Sequence, residues 1–394
     1  MHDLSRCVHH PTVSHEGFAS LAVPTYRAST IVYDDAESFA QRKHRGPDGY
    51  TYGLHGTPTT RTLEAQLTSL HGGVRTILVP SGQAAITMVM LTVLMPGDRV
   101  LIPDTVYPPV RGFCANYLAP RGIAYDVYDP MIGAAVADLI DGRTKLVWVE
   151  SPGSGTMEIQ DLPAIVAAAK AKGAYVGCDN TWATPLLFKP LAFGADFAME
   201  ALTKYVGGHS DLLLGSVTVA DLALHRRLKD TLRMLGIGVS PDEAALALRG
   251  FETMGVRLAH MARVSVDFAE RLSAFPMVER ALHPALPSCP GHELWKRDFT
   301  GASGVFSVVL QPEAEPRLTS ALSGLKVFAI GASWGGTRSL IAPMAIKSDR
   351  TVVPWTAAGP VLRISIGLEA ADDLWADLCR VFQALDGAEA AKVA

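Results

Sequence analysis

Charge is scarce in this chain. Paired cysteines, long apolar runs and the common nucleotide-binding glycine motifs are missing altogether. Only 19% of its 394 residues are Asp, Glu, Lys or Arg. The 35 basic and 39 acidic residues leave a formal charge of −4. So mild an acidity argues against nucleic acid as a partner, since a phosphate-backbone binder usually shows a basic face. With 48% hydrophobic residues the chain is also no disordered segment. The cysteines are five (Cys7, Cys114, Cys178, Cys289 and Cys379), an odd number with no close pair. Reduced, mostly buried thiols in a cytoplasm are expected, rather than disulfides or a zinc site. Mean hydropathy is +0.20. Yet the longest apolar run, Ala84 to Met95, is broken by Thr87 and Thr92 and stops at Pro96-Gly97. A bilayer span needs about 20 residues, so no membrane partner is expected. The first residues lack an apolar core and a cleavage pattern, so no secretory signal is expected either.

No GxGxxG, GxxxxGK[ST], HExxH or CxxC occurs. Gly331-Ala-Ser333-Trp-Gly335 fits the GxSxG nucleophile elbow, but that hydrolase needs a later His, and the last one is His292.

What is present is an alternation. At roughly 150 residues per domain the length predicts two or three domains. His44 to Pro58 is rich in Gly, Pro and aromatics and reads as an extended loop, followed by a helix over 63–70. Strands are predicted at 75–79, 98–103, 124–128, 145–150, 174–178, 196–202 and 212–219. Helices are predicted at 83–95, 107–117 and 162–172. Continuous apolar strands alternating with helices indicate an α/β fold, its mostly parallel central sheet covered on both faces. Near residue 240 the pattern changes. Long helices at 242–260 and 264–275, strands at 304–310, 327–330 and 361–366, and a closing helix at 372–385 read as a smaller C-terminal α+β domain. The boundaries expected are 1–55 for an N-terminal arm, 56–240 for the sheet domain and 241–394 for the C-terminal domain. The apolar surplus is suited to a subunit interface.

Three features fall at the ends of what the pattern reads as consecutive parallel strands, where such sheets build ligand sites. Ser81-Gly82-Gln83-Ala84 opens a helix, whose free N–H groups suit an anion. Asp179 closes the apolar strand AYVGCD, where a carboxylate needs a partner to stay ionised. Lys204 follows another apolar strand and precedes Tyr-Val-Gly-Gly, a setting for a desolvated amine that joins an aldehyde. Together they describe a phosphorylated aromatic aldehyde whose protonated ring nitrogen faces Asp179. That is pyridoxal phosphate.

Asp196-Phe-Ala-Met-Glu-Ala-Leu-Thr-Lys204-Tyr-Val-Gly-Gly-His-Ser210 resembles the signature of the Cys/Met-metabolism (trans-sulfuration) pyridoxal-phosphate enzymes. The resemblance runs from PTYRAST (24–30) to RISIGLE (363–369) and includes Asp179-Asn-Thr-Trp182, GHSD (208–211) and Ser333-Trp-Gly-Gly336. It implies a type I, aminotransferase-like fold and a homotetramer of active dimers. It implies that Lys204 carries the cofactor and moves the substrate Cα proton. It implies that Asp179 pairs with the ring nitrogen, Tyr107 stacks on the ring and Thr181 lies near it. Gly82, Gln83 and Thr203 are implied to hold the phosphate, and Arg363 the carboxylate of a small amino-acid substrate. Ser333 and Trp334 are implied to line the substrate pocket, and Tyr52 to enter the neighbouring subunit's site. The implied activity is β-elimination of cystathionine or a related cysteine S-conjugate. The alternative is γ-elimination or γ-replacement on a homocysteine-type amino acid.

Three positions depart from the family pattern. The usual Tyr-x-Arg that reaches the neighbour's phosphate is Tyr52-Gly-Leu54 here, with His55 or Arg61 as substitutes. Ala201 replaces a frequent Ser. Arg338 stands where the motif commonly continues with Glu, which bears on substrate choice.

Overall fold

The computed structural model describes residues 6, 14, 16–46 and 48–387, so Cys7 and the early His9, His10 and His15 lie outside the described residues. Helix α1 (Pro58–His71) begins earlier than the pattern of apolar residues predicts. Thr57 caps it, Pro58 occupies the first turn, and Gly72 closes it at φ 68. Strand β1 (Arg75–Val79) leads into α2 (Gly82–Val93), capped by the Ser81 side chain. Then follow β2 (Arg99–Pro103), α3 (Pro108–Phe113), β3 (Ala124–Tyr128), β4 (Thr144–Glu150), α4 (Leu162–Ala171), β5 (Tyr175–Asp179), β6 (Phe197–Glu200), β7 (Gly215–Val219) and α5 (Leu222–Leu235). Helix α5 was not anticipated. Its charged face hides the Leu224, Leu228, Leu232 stripe that packs inward.

The seven strands form one sheet in the order β1-β7-β6-β5-β4-β2-β3. Strands β3, β2, β4, β5 and β6 pair in parallel, while β7 is antiparallel to both β6 and β1. The strands preceding the three predicted features are therefore not consecutive: β7 separates β1 from β6. Burial explains the apolar runs. In β4, Leu146 and Trp148 enter one core with Ile86 and Val89 of α2, and Val147 and Val149 enter another with Leu162 and Ile165 of α4. Each large side chain so buried stabilises the fold by about 1.5–3 kcal/mol.

The two long helices expected after residue 240 are one, α6 (Pro241–Leu272), capped by Ser240. No Gly or Pro interrupts the 261–264 region, so a lapse in apolar pattern did not break the helix. Beyond it, β8 (Val278–Leu282), β9 (Val305–Leu310), β10 (Ala329–Ile330), β11 (Leu340–Met344) and β12 (Val361–Ser365) form a second sheet in the order β10-β11-β12-β9-β8. Helices α6 and α7 (Ala371–Asp386) cover it through Phe268, Leu272, Leu378 and Phe382. Strands β8 and β11 escaped sequence reading. Strand β8 carries Glu279 and Arg280, and β11 contains Pro343, both of which mask a strand pattern. Among the described residues no helix is long and apolar enough to cross a membrane.

Candidate active site

A cavity of about 250 Å³ opens at the C-terminal ends of the parallel strands. Gly82 and Gln83 from α2, Tyr107 before α3, Asp179 at the end of β5 and Thr181 just beyond it, and Thr203 and Lys204 after β6 all line it. Trp334 and Arg363 reach it from the second sheet. Nine of the eleven residues predicted for the site thus converge on one space. Ser333 is the tenth: its Oγ accepts a 2.7 Å hydrogen bond from Lys204 Nζ. Tyr52 is not brought there; it is about half exposed, beside the Ser29 hydroxyl at 3.3 Å.

The phosphate end is built by α2. Its first N–H groups have no helical partner, and Gly82 lets the backbone close on Ala201. A methyl group at position 82 would stand 2.6 Å from Ala201 Cβ. The Thr203 hydroxyl is turned away, bonded to both the carbonyl and the N–H of Leu214. Leu54, where the family pattern has arginine, lines a small pocket with Leu232, Ile237 and Val239 that Glu64 and Lys229 also line.

The carboxylate end is a chain of bonds. Thr181 donates to Asp179 Oδ1 from its N–H at 2.9 Å and from its hydroxyl at 2.6 Å. That hydroxyl accepts from the Ala201 N–H at 2.9 Å, tying β5 to the turn before Lys204. Burial pushes the Asp179 carboxyl above its ordinary range; the Thr181 bonds and the Lys204 charge oppose this, and Glu200 adds to it. A cationic ring nitrogen beside it would reverse the shift.

The amine lies between these ends. Burial and, after it, the Arg363 charge lower Lys204 to about 8, against the pull of Asp179. The Gly331–Gly336 loop approaches it closely. Gly335 has φ 84, and a side chain there would sit 3.1 Å from the Lys204 carbonyl carbon. Trp334 packs on Tyr205 at 5.4 Å, with Lys204 Nζ 5.1 Å from its ring. Arg363 donates to the Ala332 and Ser333 carbonyls, which aims its guanidinium at the same space. Arg338 is exposed and is not among the residues lining the cavity.

One site residue was missed. Glu150, the last residue of β4, is buried in the cavity wall and accepts the Tyr107 N–H at 2.7 Å. Burial and the nearby Asp179 push its carboxyl well above the ordinary range, against the pull of the Tyr107 N–H. The rule that singled out Asp179, a carboxylate ending a buried parallel strand, applies equally to Glu150.

The donor set fits pyridoxal phosphate: an amine of lowered pKa, a carboxylate for the ring nitrogen, and a helix N-terminus with glycine for the phosphate. The family model described as "Cys/Met metabolism PLP-dependent enzyme" matches residues 5–383. The chain belongs to that family. Pyridoxal phosphate is therefore its cofactor, and the type I fold is its fold. A protein of Rhizobium johnstonii named "Putative cystathionine beta-lyase" is 46% identical over 92% of this chain and 91% of its own length. "Cystathionine beta-lyase MetC" of Escherichia coli is 40% identical over 89% of this chain and 91% of its own. The crystal structure of a cystathionine gamma synthase from Xanthomonas oryzae superposes with a TM-score of 0.86 at 31% identity, covering 95% of this chain and 96% of that one.

Proposed function

We propose that this family member is a carbon–sulfur lyase acting on cystathionine or a related cysteine S-conjugate. Water is consumed, the Cβ–S bond breaks, and homocysteine or another thiol, pyruvate and ammonia leave. The observation that carries the reading is the Lys204 amine, half-buried between Asp179 and Arg363 and bonded to Ser333. The relatives named as cystathionine β-lyases support the choice of bond.

When bound, pyridoxal phosphate supplies an electron sink for charge developing at the substrate Cα. Lys204 moves the Cα proton, and its pKa near 8 leaves a useful fraction as free base at neutral pH. Arg363 exchanges its loop carbonyls for the substrate carboxylate, which it grips as a fork. Asp179, oriented by Thr181, keeps the ring nitrogen protonated. Gly82 and Gln83 hold the phosphate through backbone N–H groups, and Thr203 joins them if its hydroxyl leaves Leu214. Tyr107 covers the ring, and Ser333 and Trp334 shape the substrate pocket. Tyr52 serves a neighbouring subunit, where it and Tyr107 assist thiol departure.

The same reading divides the chain into the arm 1–55, a cofactor domain 56–240 and a C-terminal domain 241–394, assembled as a cytoplasmic homotetramer. Exposed apolar side chains support an interface, among them Leu21, Val32, Met234 and Val256. Coupling cystathionine turnover to lactate dehydrogenase tests the activity: pyruvate is expected. If 2-oxobutyrate is the main product instead, the chemistry is γ-elimination.

A further inference from the structure

Five residues that line the cavity around Lys204 come from one strip after β4: Pro152, Gly153, Ser154, Gly155 and Met157. The strip folds back on itself. The Met157 N–H reaches the Gly153 carbonyl at 3.1 Å, and the Gly153 N–H reaches the Glu158 carbonyl at 2.9 Å. None of the five carries a charge, and none is among the groups assigned to the cofactor or to the substrate carboxylate. What the strip offers the cavity is shape. Met157 is 3% exposed and has φ 65, a left-handed backbone that residues other than glycine rarely adopt. Such a conformation persists only where its surroundings enforce it.

The enforcement comes from the C-terminal domain. Arg350 donates through Nη2 to the Thr156 hydroxyl at 2.6 Å and to Glu158 Oε1, so it grips the residues on either side of Met157. Its side chain is 4% exposed, and that of Glu158 is 10% exposed. Glu158 Oε2 is buried with no hydrogen-bond partner, and among the described residues Arg350 is the cation paired with Glu158. Removing that partner would leave a buried charge uncompensated. Arg350 is itself held independently of the strip: the next three N–H groups, of Thr351, Val352 and Val353, bond to Asp104. Ile346 packs behind Gly155, where an added Cβ would stand 2.9 Å from the Ile346 Cδ1. One segment, 346–353, thus presses on the strip at Gly155, Thr156 and Glu158.

We propose that Arg350 is a positioning residue that sets which amino acids the cavity accepts, by holding the 153–158 wall in the place where a long side chain packs against it. Arg350 does not line the cavity and acts through Met157 and its neighbours. The inference rests on the proposed reading in one respect, that the ligand is an amino acid whose carboxylate Arg363 grips. It adds that the group beyond Cβ, which in an S-conjugate is the sulfur and its substituent, is selected by length and bulk against an uncharged wall. An amino acid that ends at Cβ does not reach that wall.

Equilibrium binding of L-alanine and L-norleucine to the holoenzyme, followed by the absorbance of the bound cofactor, tests this without any bond cleavage, since neither carries a leaving group. Arg350→Met is expected to weaken norleucine about tenfold and alanine less than about twofold, the scale on which an apolar wall discriminates. Arg350→Lys, which keeps a charge for Glu158, should recover part of the loss. Uptake of pyridoxal phosphate by the apoprotein should stay unchanged in both variants. If Arg350→Met does not fold because Glu158 is left uncompensated, combining it with Glu158→Met removes both charges, and that double variant should fold and keep the norleucine loss. A norleucine affinity that the folded variants leave unchanged overturns the proposal. So does a loss shared equally by alanine, norleucine and the cofactor, which marks a merely structural role. Pyruvate release from cystathionine is measured alongside: no pyruvate in the wild type with the norleucine effect intact would sink the lyase reading and leave the role of Arg350 standing.

Discussion

Asp104 and Asp179 stand at the C-terminal ends of β2 and β5, in the same parallel sheet, and the protein treats them oppositely. Asp104 is 2% exposed. Its oxygens accept from the N–H groups of Thr351, Val352 and Val353, from the Thr351 hydroxyl and from Arg111. Burial alone would raise it, but these donors outweigh burial and hold it below the ordinary carboxylate range. It pins the 351–353 segment to the sheet domain. Asp179 receives only Thr181, and its carboxyl is raised. The same residue type at the same kind of place is a fastener when its donors are supplied by the fold. It becomes a reactive group when a donor is left for a ligand to supply.

The largest effect should come from breaking the reactive end. Asp179→Asn is expected to lower kcat/KM by at least about 10²-fold, the scale of losing one preorganised electrostatic partner, with unchanged thermal unfolding. A variant that keeps activity but unfolds early would make Asp179 a fastener too. Asp104→Ala should do the reverse. Denaturant unfolding is expected to show a loss of about 3 kcal/mol, because several buried donors lose a charged acceptor together. Steady-state kinetics under native conditions should change less than the stability does.

A third prediction sharpens the contrast through pH. Lys204 has a folded pKa near 8 against an ordinary 10.5. Between those values the unfolded chain binds the extra proton, so apoprotein stability rises with pH from about 8 to 10.5. The wild type minus Lys204→Met should show this slope, worth about 2–3 kcal/mol at most. A flat difference across that window would mean that the amine is not desolvated. The smallest effect is expected at Glu150. Glu150→Gln keeps an oxygen that accepts the Tyr107 N–H, and kcat should stay within about threefold. Glu150→Ala, which removes the acceptor, should lose more.

Much of this was legible in the chain. Strands β1 and β3 were read to the residue, because each is a short run with β-branched or aromatic residues set between Gly- or Pro-containing turns. Lys204, Asp179 and Gly82 were found by their place after such strands. Glu150 was passed over although it obeys the same rule, and α5, β8 and β11 were hidden by charged or Pro residues within them. Residue order alone determined the alternation, most of the residues that converge on the cavity, and the family. It could not show that β7 runs against its neighbours, because an apolar strand reads the same in either direction. It could not show that Arg363 and Ser333, more than 120 residues from Lys204, come to the same site. Those facts depend on which surfaces pack together, and packing is decided by distances in space that spacing along a chain does not contain.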